Sequence, residues 1–315
     1  MVMTRFAKCL FKTAFVVLWQ LLVASCNGGC ANADNDVYDL LRQDISGFVE
    51  KQHGKIGVAV ITDRKDTLTV NNTPDFPLMS MFKLHQSIAI CRNFGENGIG
   101  LDSVLNIKQC EMNKNTWSPM LKNNMDKDFL IPVSGLLEYI LVHSDNNASN
   151  LLFNRVVSVA ETDSIVASIL PDRGFRLMYN EYEMLQDKSL SYKNVSSPLA
   201  YALMIDKLFT DSLMPHSMQA FVKQAMYNCE TGMGRIAAPL ADIPGVAFAY
   251  RTGSGYVNPQ GEIIAVNDGG YVTLPSGQSY SIAVFVKDFA GTQDEAESVI
   301  AKISELVYNR LSELK

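Results

Sequence analysis

Ser80 and Lys83 stand three residues apart in Ser80-Met81-Phe82-Lys83, at the start of an apolar run that reads as a helix. Residues three apart on a helix face the same way, so this spacing sets a hydroxyl beside an amine. A serine hydroxyl is a weak nucleophile until a base takes its proton. A lysine serves as that base when burial and neighbouring positive charge lower its pKa. The start of the helix also favours negative charge developing near Ser80. The chemistry on offer is nucleophilic catalysis by Ser80. Ser-x-x-Lys alone is a common pattern, so its weight depends on what else the chain supplies.

Two further clusters follow in order. Ser144-Asp145-Asn146 falls between two helical runs, where any of the three would also make a good helix N-cap. Arg251-Thr252-Gly253-Ser254-Gly255 lies on a strand-like run and brings a fixed positive charge. Arg235, within Cys229–Leu240, reads either as an anion contact or as a surface residue. Other chemistries find less support. His143, Ser144 and Asp145 are consecutive and cannot line up as nucleophile, base and orienter. No Gly-x-Ser-x-Gly elbow, phosphate-binding glycine loop or Cys-x-x-Cys occurs, and the four histidines lack metal-ligand spacing.

The elements that must carry these clusters follow from periodicity. Asp34 to Lys51 reads as an amphipathic helix, followed by strand-like Lys55–Thr62 and Asp66–Asn71 around the polar Asp63-Arg64-Lys65. Helices are expected at Ser80–Phe94, Val133–His143, Asn146–Val157 and Pro198–Phe209. Strands are expected at Ala247–Gly253, Ile263–Leu274 and Tyr280–Phe289, then a last helix from Gln293 with Thr292 and Glu295 as a capping box. This order lets the two ends of the chain build one antiparallel sheet while the middle forms a helical lobe. The expected division is 1–26 as a leader, 36–73 with 222–315 as an α/β lobe, and 74–221 as the helical lobe.

Taken in order, the three clusters resemble the active-site set of penicillin-binding proteins and class A serine β-lactamases, in which the third motif is Lys-Thr-Gly. The resemblance runs from about Asp36 to the C-terminus. It implies the α+β serine β-lactamase/DD-peptidase fold, a five-stranded antiparallel sheet flanked by helices plus an all-helical lobe. It implies hydrolysis of a β-lactam amide through an acyl-enzyme on Ser80, conferring antibiotic resistance, with no metal or organic cofactor. Lys83, or Glu181 through a water, would take the Ser80 proton, Ser144 would protonate the leaving nitrogen, and Asn146 would contact the substrate amide. Arg251, Thr252, Gly253 and Ser254 would bind the substrate, with the amides of Ser80 and Ser254 as oxyanion hole. Arg235 would be a further carboxylate contact, Trp117 an aromatic at the pocket mouth, and Asn150 a brace for the loop carrying a catalytic glutamate. That loop matches Asn180–Leu185, where Glu181 and Glu183 compete as the deacylation base. Counting back from Tyr192–Pro198 favours Glu181. The family's next Asn is replaced by Leu185, and its Arg–Asp loop pin by Tyr179 and Asn194. These departures resemble the Bacteroidetes-type cephalosporinase and extended-spectrum subgroup. The alternatives are a DD-peptidase or transpeptidase and a lipid-anchored β-lactam sensor.

At 315 residues with a net charge of −6, the chain has no cationic surplus for nucleic acid. Arg5, Lys8 and Lys12 precede apolar Thr13–Ala24, a pattern of export. Val23-Ala24-Ser25-Cys26 resembles a lipobox, which would lipidate Cys26; the alternative is plain cleavage near Ala31-Asn32-Ala33. The expected form is an exported, periplasmic monomer, touching a membrane only through such an anchor.

Overall fold

The computed structural model describes residues 28–314 apart from 126, 171 and 173. The expected leader with Cys26 lies outside the described residues, as do the side chains of residues 28–36.

In chain order, helix α1 (Gly28–Val49) leads to strands β1 (Lys55–Thr62), β2 (Thr67–Val70) and the short β3 (Phe76–Pro77). Next come α2 (Phe82–Asn97), β4 (Val104–Ile107), α3 (Pro119–Asn123), β5 (Phe129–Pro132), α4 (Val133–Val142), α5 (Asn146–Arg155) and α6 (Val159–Ile169). Then β6 (Phe175–Arg176), α7 (Glu181–Gln186) and β7 (Val195–Ser196) precede α8 (Pro198–Thr210) and α9 (His216–Tyr227). Strands β8 (Ala247–Ser254), β9 (Ile263–Thr273), β10 (Ser279–Phe289) and helix α10 (Gln293–Ser312) close the fold. The helix expected from Asp34 starts earlier, at Gly28, and ends at Val49.

The main sheet has the order β2-β1-β10-β9-β8 with every neighbour antiparallel. Lys55 pairs with Lys287 and Thr62 with Tyr280, so the first strand and the last lie side by side. Both faces of the sheet are covered, which explains why β1 is a continuous apolar run rather than an alternation. Val58 and Val60 share one core with Leu41 and Ile45 of α1 and Ile300 and Ile303 of α10. Ala59 and Ile61 belong to the other core, with Tyr201 and Ile205 of α8 and Phe285 of β10. Burying each Val or Ile in this way contributes about 1.5–3 kcal/mol. The capping box of α10 forms as expected, with Glu295 N donating to Thr292 Oγ1 and Thr292 N donating to Glu295 Oε2.

The lobe boundary expected at 221/222 falls inside α9. That helix is continuous, and its Met218, Val222, Ala225 and Met226 all join the core that also takes in Ala59 and Ile61. The 3-10 turn before α2 abuts strand β8, and the candidate site lies there.

Candidate active site

Ser80 sits in a 3-10 turn, Met79–Met81, that runs directly into α2 rather than in the α-helix itself. Met79 just before it has φ of 47°, a left-handed conformation that a non-glycine residue adopts only under constraint. Several bonds supply that constraint. Leu78 N donates to Asn194 O at 2.8 Å, Asn267 Nδ2 to Pro77 O at 2.6 Å, and Tyr201 Oη to Met81 O at 3.2 Å. Gly253 of β8 completes the seat. A Cβ there would come within 2.7 Å of Leu78 O, so only glycine lets the strand approach the turn.

Lys83 is buried, and its amine is the hub of the site. Nζ donates to Ser80 Oγ at 3.0 Å, Ser144 O at 3.0 Å and Asn146 Oδ1 at 2.6 Å, and lies 2.7 Å from Glu181 Oε1. Ser144 Oγ is 3.4 Å away. Five acceptors therefore surround a group with at most three hydrogens. Burial pushes the Lys83 pKa down; Glu181 opposes this, and the Arg251 guanidinium reinforces it. The net depression is the condition under which a lysine works as a base.

Ser144-Asp145-Asn146 divides its labour. Asp145 is the N-cap of α5, its Oδ1 accepting from Ala148 N at 2.8 Å, so the capping reading holds for this residue. Its carboxylate also accepts from Ser118 Oγ and Met120 N, and burial pushes its pKa up. Ser144, at φ of 61°, and Asn146 turn toward Lys83 instead. Asn146 Nδ2 donates to Thr116 Oγ1, which fixes the amide so that its oxygen faces Lys83.

On β8, Arg251 is buried and its Nη2 donates to Ser144 Oγ at 2.8 Å. The charge of the third motif is thereby tied to the second. Arg235 is not a surface residue. It is 3% exposed, with Nη1 donating to the backbone oxygens of Gly253 and Asn267 and Nη2 to Ser254 Oγ and Glu297 Oε1. It braces β8 from within, through the carbonyl of Gly253 and the hydroxyl of Ser254. Thr252 Oγ1 lies 2.5 Å from Thr231 Oγ1, a partner that no motif marks.

The two glutamates separate cleanly. Glu181 Oε1 faces Lys83 and accepts from Ser80 Oγ at 3.4 Å. Glu183 turns away and closes a capping box with Asn180 at the start of α7. Asn150 Oδ1 accepts from Tyr182 N at 3.2 Å, a direct tie from α5 to this loop. In place of an ion pair, buried Asn194 holds the loop through its backbone. Its Oδ1 accepts from Met178 N and Tyr179 N, and its Nδ2 donates to Tyr179 O. Leu185 is exposed and makes no such tie. Trp117 is 54% exposed, with Nε1 donating to His143 O at 2.9 Å and its own carbonyl accepting from Asn146 N, so it stands beside the Ser144 turn. No motif marks Thr116, Thr231 or Asn267, because each acts through a partner well removed along the chain.

Cys91, Cys110 and Cys229 are free thiols, and Cys91 is buried as a small hydrophobe. Among the described residues no group of three His, Cys, Asp or Glu side chains is placed to hold a metal ion. Among them, too, no helix is long and apolar enough to cross a membrane.

Comparison with known proteins gives a consistent result. Residues 40–311 match the model of the β-lactamase enzyme family. A β-lactamase of Phocaeicola vulgatus is 43% identical over 297 residues, covering 94% of this chain and 92% of that protein. The extended-spectrum β-lactamase PER-1 of Pseudomonas aeruginosa is 30% identical over 270 residues, covering 85% and 86%. The crystal structure of a class A β-lactamase from Bacteroides cellulosilyticus superposes with a TM-score of 0.83 at 29% identity, covering 88% of this chain and 99% of that one. With this fold and this likeness along nearly its whole length, the chain belongs to the β-lactamase enzyme family as a class A β-lactamase.

Proposed function

We propose that the enzyme hydrolyses cephalosporins and penicillins through an acyl-enzyme on Ser80, as an exported monomer that confers antibiotic resistance. The observation that carries this reading is the position of Lys83 Nζ, within 3.0 Å of Ser80 Oγ and 2.7 Å of Glu181 Oε1. Lys83, or Glu181 through a water, takes the Ser80 proton as the hydroxyl attacks the β-lactam carbonyl. The amides of Ser80 and Ser254 receive the developing oxyanion. Ser144, linked to both Lys83 and Arg251, returns a proton to the leaving nitrogen. Glu181 then activates the water that releases the ring-opened product. Arg251, Thr252 and Ser254 hold the substrate carboxylate, Asn146 its amide, and Trp117 flanks the entrance. No metal or organic cofactor enters this scheme.

Similarity to PER-1, an extended-spectrum enzyme by name, supports cephalosporins as substrates. The basic and apolar leader supports export, with Cys26 as the residue that would carry a lipid anchor.

The test is turnover of a chromogenic cephalosporin by wild type and Ser80→Ala, with intact-protein mass. Sustained hydrolysis that Ser80→Ala abolishes is the expected result. A single stoichiometric burst with a persistent adduct on Ser80 would instead identify a penicillin-binding protein or sensor.

A further inference from the structure

Thr231 lies on the loop between α9 and β8, outside every motif. Its Oγ1 is 2.5 Å from Thr252 Oγ1, 3.4 Å from Arg251 Nη1 and 3.4 Å from Cys229 Sγ. The loop is pressed onto the strand, since a Cβ at the following Gly232 would come within 2.7 Å of Thr252 Cγ2.

A hydroxyl has one hydrogen and two acceptor positions. A guanidinium can only donate, so Arg251 Nη1 occupies one acceptor position of Thr231. In the contacts of Thr231 with the Cys229 thiol and with Thr252 Oγ1, either partner can donate the hydrogen. Where Thr231 donates to Thr252 Oγ1, the Thr252 hydrogen cannot point back along the same contact. Ser254 repeats the arrangement, because its Oγ accepts from Arg235 Nη2 at 2.5 Å. Residues two apart on a strand share a face, so Thr252 and Ser254 set two hydroxyls side by side.

We infer that Thr231 is a positioning residue that fixes the Thr252 hydroxyl as a donor toward the carboxylate of the β-lactam. The inference rests on the reading of β8 as the carboxylate-binding strand. A charge-assisted O–H···O⁻ bond is stronger than a neutral one, so losing its orientation is costly.

The experiment compares wild type, Thr231→Val and Thr231→Ser on one chromogenic cephalosporin and on its carboxylate methyl ester. Thr231→Val keeps the shape and removes the hydroxyl. It should lower kcat/KM about tenfold on the acid, the size expected for one hydrogen bond to a charged group. On the ester, which carries no anion, it should match wild type. Thr231→Ser should restore most of the loss. Equal rates of wild type and Thr231→Val on the acid would overturn the inference. So would an equal loss on acid and ester, or a failure of Thr231→Ser to rescue. A wild type that turns over neither compound would overturn the proposed function itself, and the assignment of Thr231 with it.

Discussion

The carboxylate of Glu181 lies 2.7 Å from the amine of Lys83, although the two residues sit on separate elements, α7 and α2. In the proposed mechanism, this contact joins the group that would prepare Ser80 for attack to the group that would prepare water for release. The loop carrying Glu181 is held at three points: by Asn150 through Tyr182 N, by Asn194 through Met178 and Tyr179, and by its own capping box.

Glu181 and Glu183 should therefore fail in different ways. Glu181→Gln is expected to acylate and then stall, with deacylation slowed about 100- to 10,000-fold, the usual worth of a general base. Intact-protein mass after mixing with substrate should show a long-lived adduct. Glu183→Ala should keep its turnover and lose about 1 kcal/mol of stability, the typical cost of a lost helix cap. Trapping by Glu183→Ala and not by Glu181→Gln would reverse the assignment.

The pH dependence of acylation tests the role of Lys83. A lysine base works in its neutral form, so kcat/KM falls as pH drops through its folded pKa. Burial holds that pKa below the ordinary lysine range, with Glu181 working against and Arg251 working with it. Arg251→Met removes a positive charge and so raises the Lys83 pKa. The acid limb of kcat/KM should move to higher pH. An unmoved limb would assign the first proton transfer to Glu181 through water.

What the sequence made legible was whatever depends on short-range pattern. The Ser80–Lys83 spacing, the five strands and the capping box at Thr292 all express a local period or a fixed offset. The rest depends on pairs brought together by the fold. Asn267 anchors the nucleophile turn across 190 residues, and Arg235 reaches Glu297 across 62. No periodicity marks such partners. The same limit applies to Ser144-Asp145-Asn146, where three capping-competent residues occur in a row. Only the backbone path, with Ser144 left-handed, shows which one caps and which two face Lys83.

Asn194 shows how a lost ion pair is replaced. Its one side chain satisfies two backbone N–H groups and one carbonyl in a buried setting. Asn194→Ala leaves all three unpaired, and a single unsatisfied buried group costs about 1–3 kcal/mol. Because the loop can loosen and admit water, the expected loss is about 3 kcal/mol rather than the full sum. Hydrogen exchange of the Met178 and Tyr179 amides should accelerate, and deacylation should slow. Unchanged exchange at those amides would show that the loop is held by other means.

Asp268 offers a stability measurement independent of catalysis. It is buried on β9 opposite Thr252, its Oδ2 accepting from Ile236 N at 3.0 Å. Burial pushes its pKa up to about 7, against the nearby charges of Arg235 and Arg251. The sign follows from proton counting. Below about pH 4 both folded and unfolded chains hold this proton, and the group is neutral to stability. Between about pH 4 and 7 the unfolded chain loses the proton while the folded one keeps it, so this residue's contribution falls as pH rises. Above about pH 7 both are ionised and the penalty is constant. Asp268→Asn keeps an oxygen for Ile236 N and removes the ionisation. The stability of Asp268→Asn relative to wild type, followed by denaturant unfolding, should therefore rise from pH 4 to pH 7 and then level off. A difference that stays flat across that range would mean that Asp268 ionises in the folded protein as readily as in the unfolded chain, and that the two arginines fully offset its burial.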